Sequence, residues 1–320
     1  MRSRAFSSSN LRSRARGQHA ARSATARVWL CGIALACCAL ATTQGAALDD
    51  TQPARTRSTS PEPRPSTSSG LPWEGHLTQG VRLRTNGLLH PVTEYARQGN
   101  FYGTAELVSL LERTAQAIAA RWPGSQLALG ELSASRGGKL DGHHSHRNGR
   151  DADVAFFMHD ARGQASRFWR FVTFGSDGLA LGTRKPLYFD DAKNWTMVST
   201  ILRDPVARVQ YMFVAKPIST RLLMEGRRQA ASDEVLRAAA AVMVEPKEGH
   251  RHANHFHVRI YCARDDRPAC QDSEPYWPWY DGAPPAGQHA ELPIIRWRMP
   301  DAVAQPAKPS ERASSASRSM

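Results

Sequence analysis

The stretch His255-Phe256-His257-Val258-Arg259-Ile260-Tyr261 decides how this chain is read. It alternates polar and apolar residues, the period-two pattern of a half-buried strand. Residues two apart in a strand point the same way. His255 and His257 therefore share one face, and Phe256, Val258 and Ile260 share the other. The apolar face supplies the packing and leaves the imidazoles facing a cleft. Two imidazoles side by side are a costly arrangement unless something uses them. A metal ion is the obvious user, because neutral imidazole is its commonest nitrogen ligand.

A second stretch completes the set: Gly142-His143-His144-Ser145-His146-Arg147-Asn148-Gly149-Arg150-Asp151-Ala152-Asp153. The twelve histidines of the chain are not scattered, since only His159 lies between this loop and the cluster His250, His252, His255 and His257. A glycine-bearing loop of this length can fold back so that His146 and Asp153 converge on one ion, with Asp153 opening the apolar strand Asp153–Met158. Adding His257 gives two imidazoles and a carboxylate. Three protein ligands on zinc leave a fourth position for water, as a catalytic site needs. Bound water is acidified toward neutrality and becomes a usable nucleophile. Asp151 reads as a loop-ordering carboxylate, and His144 and His250 as solvated residues.

Taken in order, these residues resemble a known family. A His-x6-Asp pattern (His146, Asp153) followed by His-x-His (His255, His257) is similar to the metallopeptidase superfamily of lysostaphin-type enzymes, D-Ala-D-Ala carboxypeptidases and the hedgehog signalling domain. Within it, the chain most resembles the penicillin-insensitive murein endopeptidases. The resemblance runs through Arg136-Gly137-Gly138, Gly142–His146, Asp151–Asp153 and His252–Arg259, and covers most of residues 80–280. It implies one zinc ion on His146, Asp153 and His257, with His255 as catalytic general base or oxyanion stabiliser. His143 and His252 match further family histidines near the site. His143 is counted with the ligands and His252 with the catalytic residues. The family's Asp-x-x-His pattern, read as a second metal site, corresponds to Asp191-Ala192-Lys193-Asn194; Asp191 is kept and Asn194 replaces the His. A neutral amide oxygen is a poor zinc ligand, so one ion is expected.

The implied function is hydrolysis of D-Ala–meso-diaminopimelate cross-links in peptidoglycan, insensitive to β-lactams because no serine is acylated. Two alternatives stay open: a D,D-carboxypeptidase of the same superfamily, and a zinc-bearing cell-wall-binding module without catalysis. A serine route has no support, since neither G-x-S-x-G nor S-x-x-K occurs in the sequence.

Charge locates the ends. Residues 1–70 hold ten Arg against three acids, and residues 284–320 hold five basic residues against three acids, so only +4 of the net +13 belongs to the middle. No basic stripe interleaved with aromatics is left there, which argues against nucleic acid as partner. The apolar run Val28–Ala41 is too short to span a membrane comfortably and fits the core of a signal peptide, or of an anchor if retained. Residues 1–47 are accordingly assigned to export into the periplasm or beyond, with any membrane tether confined to that segment. Three of the five cysteines lie within it, and the remaining pair, Cys262 and Cys270, is expected to form a disulfide in an oxidising compartment.

Residues 48–70 read as a Pro/Ser/Thr-rich linker, and residues 284–320 as a disordered tail. The interval 71–283 is expected to form one α+β domain, a small antiparallel sheet carrying the zinc site and flanked by helices. The expected helices are Thr104–Trp122, Asn194–Arg203 and Asp233–Met243. The expected strands are Leu127–Leu129, Asp153–Met158, Val209–Val214 and His255–Tyr261. The aromatic run Tyr276-Trp277-Pro278-Trp279-Tyr280 reads as domain packing.

Overall fold

A computed structural model of the protein describes residues 66–166 and 170–295. The signal or anchor segment, nearly all of the linker and the distal tail lie outside the described residues. Among the described residues, no helix is long and apolar enough to cross a membrane.

In chain order the elements are β1 (Thr67–Ser69), β2 (His76–Thr78), β3 (Val81–Arg82), β4 (Leu89–Pro91), β5 (Tyr102–Gly103), α1 (Ala105–Arg121), β6 (Leu127–Leu129), β7 (Asp151–Ala155), β8 (Met158–Asp160) and β9 (Leu187–Phe189). They continue with α2 (Asp191–Leu202), β10 (Val209–Phe213), α3 (Lys216–Arg228), α4 (Asp233–Val242) and β11 (His255–Ile260). The class is α+β. The main sheet has five strands in the order β10-β11-β7-β6-β4. It is mixed rather than antiparallel, because the edge strand β4 runs parallel to β6. Among the described residues, three two-stranded sheets, β1-β2, β3-β5 and β8-β9, accompany it.

Local chemistry accounts for the helices. Thr104 caps α1 by accepting the amide of Leu107, and Leu107, Leu110, Leu111, Thr114 and Ile118 form its buried stripe. Ser232 caps α4 through the amide of Val235, and Asp233 and Glu234 occupy its positive first turn. Helix α3 was not foreseen. Its Pro217 falls in the first helical turn, where proline is tolerated, and Gly226 is where the Trp195 ring of α2 lies against the backbone.

The apolar faces of β7 and β11 (Ala152, Val154, Phe256, Val258 and Ile260) are buried in the core with the helices. Edge strand β10 is covered by the aromatic run: Trp277 Nε1 donates to the Gln210 carbonyl and Trp279 Nε1 to that of Val209. Cys262 and Cys270 form a disulfide directly after β11. Two segments behave differently from their reading. Residues Thr67–Ser69 of the linker stretch form β1 and pair with β2. In the tail stretch, Ala290 donates to the Tyr276 carbonyl, and Leu292 and Ile295 pack on the core.

Candidate metal centre

Strands β7 and β11 pair antiparallel with His257 opposite Asp153, Arg259 opposite Asp151 and His255 opposite Ala155. All six therefore lie on the sheet face opposite to Ala152, Val154, Phe256, Val258 and Ile260. The loop from Leu140 to Gly149 folds over that face and delivers His143 and His146. His146 takes φ 66° and His252 takes φ 54°, left-handed conformations that strain a residue with a side chain. The His146 turn is held by its amide, which donates to Asp151 Oδ2, and by Ser133 Oγ, which donates to its carbonyl at 2.6 Å. Such strain persists where surrounding structure over-determines it, and it gathers at functional sites.

Three imidazole nitrogens converge on Asp153 Oδ1. His146 Nε2, His255 Nε2 and His257 Nδ1 each stand 3.4 Å from it. His143 Nδ1 is 3.9 Å from Asp153 Oδ2, and one ligand atom from each of His143, His146 and Asp153 lies within 4.8 Å of the others.

The tautomers follow from the far side of each ring. A carbonyl or carboxylate only accepts, so the ring nitrogen facing it carries the proton. His146 Nδ1 donates to the Leu132 carbonyl at 2.6 Å. His257 Nε2 donates to Asp151 Oδ1 at 2.9 Å, His255 Nδ1 to Asn254 Oδ1 at 2.7 Å, and His143 Nε2 to Glu131 Oε2 at 2.9 Å. In the neutral rings the nitrogens turned toward Asp153 are then lone pairs. Lone pairs facing a carboxylate repel unless something positive lies between them. Two of these atoms, His146 Nε2 and Asp153 Oδ1, are buried with no hydrogen-bond partner.

The donor set fits a zinc ion. Ligands about 2.0–2.1 Å from zinc at tetrahedral corners are about 3.4 Å from each other. His146, Asp153 and His257 meet that spacing through Asp153 Oδ1. His143, with Nε2 tied to Glu131 and Nδ1 turned toward Asp153, belongs with His146 and Asp153 to a group that could hold a metal ion, at a longer 3.9 Å from the carboxylate. His255 is as near to Asp153 as His146 and His257 are, but is held by Asn254 and lies flat on Phe171, with ring centroids 4.4 Å apart.

Electrostatics agree with a cation. Burial alone would raise the pKa of Asp153, but the His146 and His255 imidazoles outweigh it and hold the carboxyl well below its usual range. Burial would also raise Asp151, and Arg259 followed by His257 drive it far down instead. For His146, burial favours the neutral ring, and Asp153 outweighs that and lifts its pKa. A proton on His146 and a metal ion answer the same demand, so the two compete. Burial, then the His255 and His257 rings, push His252 down to about 3.

The group opens into a cleft of about 730 Å³ lined by Trp73, Tyr95, Phe171 and Phe213 beside the histidines. Gly130 permits this close packing, since a side chain there would meet Phe171 and Asp153. Asp191 is not brought to this group. It lies at the start of α2, where both its oxygens pair with Arg221 at 2.5 and 2.6 Å, and it does not line the cleft. His144 and His250 line the cleft mouth. Glu131 and Asn254, which orient His143 and His255, were not singled out from sequence. A lone acid after a three-residue strand and an amide before His255 carry no spacing signal.

Comparison with known proteins points one way. The family model described as penicillin-insensitive murein endopeptidase matches residues 68–317. A Haemophilus influenzae protein described as "Penicillin-insensitive murein endopeptidase" is 26% identical over 239 residues, covering 73% of this chain and 69% of that protein. The family match spans both strands, the loop that precedes β7 and the cleft walls, so the chain belongs to the penicillin-insensitive murein endopeptidase family.

Proposed function

We propose that this protein is an exported, zinc-dependent peptidoglycan endopeptidase that hydrolyses D-Ala–meso-diaminopimelate cross-links. The reading rests on one observation: three outward-bonded imidazoles converge on a buried carboxylate oxygen that has no hydrogen-bond partner. Zinc would be held by His146 Nε2, Asp153 Oδ1 and His257 Nδ1. When bound, it supplies Lewis-acid polarisation of a carbonyl and acidification of water.

The protein's own groups supply the rest. Asn254 holds the Nδ1–H of His255, so Nε2 is the atom that accepts a proton during attack and returns it to the leaving amine. Phe171 beneath the ring keeps that atom on the cleft side. His252, 4.9 Å from His255 between centroids, stays neutral near pH 7 and serves as a hydrogen-bonding wall without adding charge. Asp151 and Glu131 fix the rings of His257 and His143 in advance, which lowers the reorganisation cost of reaction. No serine is acylated in this scheme, so β-lactams do not inhibit.

The test is incubation of the purified protein with sacculi, with and without chelator, followed by fragment mass analysis. Chelator-sensitive conversion of cross-linked dimers to monomers is expected, unchanged by penicillin. Release of free D-Ala from monomeric stems without loss of dimers would instead establish the carboxypeptidase.

A further inference from the structure

Strand β11 carries a third cleft residue in the same alternation. Arg259 follows His257 by two positions, so its side chain projects on the same face, about 7 Å along the strand. Its side chain is 8% exposed, and its Nε donates to Asp151 Oδ1 at 2.7 Å. Its two terminal nitrogens have no protein acceptor among the described residues, and neither is sealed from the cleft. The guanidinium is flanked by Trp73 and Phe213, with its carbon 6.0 and 5.6 Å from their ring centroids. Arg259 is the one Arg or Lys lining the cleft among the described residues, whereas Asp141 and Glu248 on the rim are acidic.

A guanidinium bonded at Nε, walled by two aromatic rings and left with an open fork is built to receive a planar anion. We propose that Arg259 forms a carboxylate-binding subsite beside the metal centre, which recognises the free carboxylate next to the scissile amide nitrogen of the cross-link. The assignment rests on the endopeptidase reading above and names the group on the amine side that the cleft selects. A leaving residue in which that carboxylate is amidated offers no anion to the fork and leaves it unpaired in a poorly hydrated wall, which is where discrimination is greatest.

The experiment compares two muropeptide dimers, with that carboxylate free or amidated, and the two matching amine-side product peptides as non-reacting ligands. Cleavage is read as kcat/KM, binding by calorimetry, and zinc content is measured throughout. Wild type is expected to prefer the free acid by about ten- to hundredfold in both readouts. In Arg259→Gln both preferences fall to near unity, while Arg259→Lys, which keeps the charge without the fork, recovers part of them. Because Arg259 also touches Asp151, loss of overall rate in Arg259→Gln decides nothing; the acid-to-amide ratio does. Equal treatment of acid and amide by wild type overturns the proposal without any variant, as does an undiminished preference in Arg259→Gln. If no dimer is cut but the product peptides still bind with an Arg259-dependent preference for the acid, the subsite stands and the endopeptidase reading fails.

Discussion

At the scale of single residues, the centre is organised by what lies behind each imidazole. His257 offers Nδ1 because its Nε2–H donates to Asp151, and Asp151 in turn is anchored by Arg259. Asp151→Asn keeps an oxygen at that position but loses the charge and one acceptor. Zinc affinity is expected to fall roughly 10–100-fold, the usual cost of removing such a supporting carboxylate. Competition against a chromophoric chelator measures it, and an unchanged affinity would show that His257 needs no such partner. The convergence of His146, Asp153 and His257 was legible in sequence because a strand's alternation and a Gly-bearing loop are local signals. The residues behind them were not, since Glu131 and His143 meet only once the loop has folded across β6.

Among the elements, Asn194 shows how one residue can be read two ways. It stands where the sequence resemblance puts a His, but its side chain is already committed to backbone. Its oxygen accepts from the Phe157 amide, and its nitrogen donates to the carbonyls of Phe157 and Asp190. It thereby ties the link between β7 and β8 to the first turn of α2, at a fully buried position. Asn194→Ala leaves those buried groups without partners and is expected to cost on the order of 3 kcal/mol, measured as the shift in urea unfolding. A loss under about 0.5 kcal/mol would mean that water takes over the bonds. The same scale explains the misread sheet. Leu89-His90-Pro91 is three residues long with a proline at its end, too short to announce an edge strand, and its parallel pairing depends on α1 carrying the chain back. The helices α1 and α4, by contrast, carry their caps and stripes in their own sequence.

For the molecule as a whole, stability should depend on acid through long-range pairs. Asp204, after α2, accepts both Nε and Nη2 of Arg113 on α1, at 2.7 and 2.9 Å, and the amides of Val206 and Ala207. Burial would raise its pKa, but these hydrogen bonds outweigh it and leave the carboxyl lowered. A lowered pKa favours the folded state above the unfolded value, near 3.9, and that contribution disappears as pH falls through the folded value. Thermal unfolding of wild type should therefore lose more stability between about pH 5 and pH 2 than Asp204→Asn does. Parallel pH profiles for the two proteins would contradict this.

The proposed mechanism requires His146, Asp153 and His257 to hold one zinc ion on which cross-link hydrolysis depends. Zinc per chain and dimer-cleaving activity, measured together on folded wild type and His257→Ala, test it most directly. One zinc per chain with chelator-sensitive cleavage is predicted for wild type, and loss of both in the variant. A folded His257→Ala protein that opens cross-linked muropeptide dimers at the wild-type rate would rule out this metal-dependent mechanism.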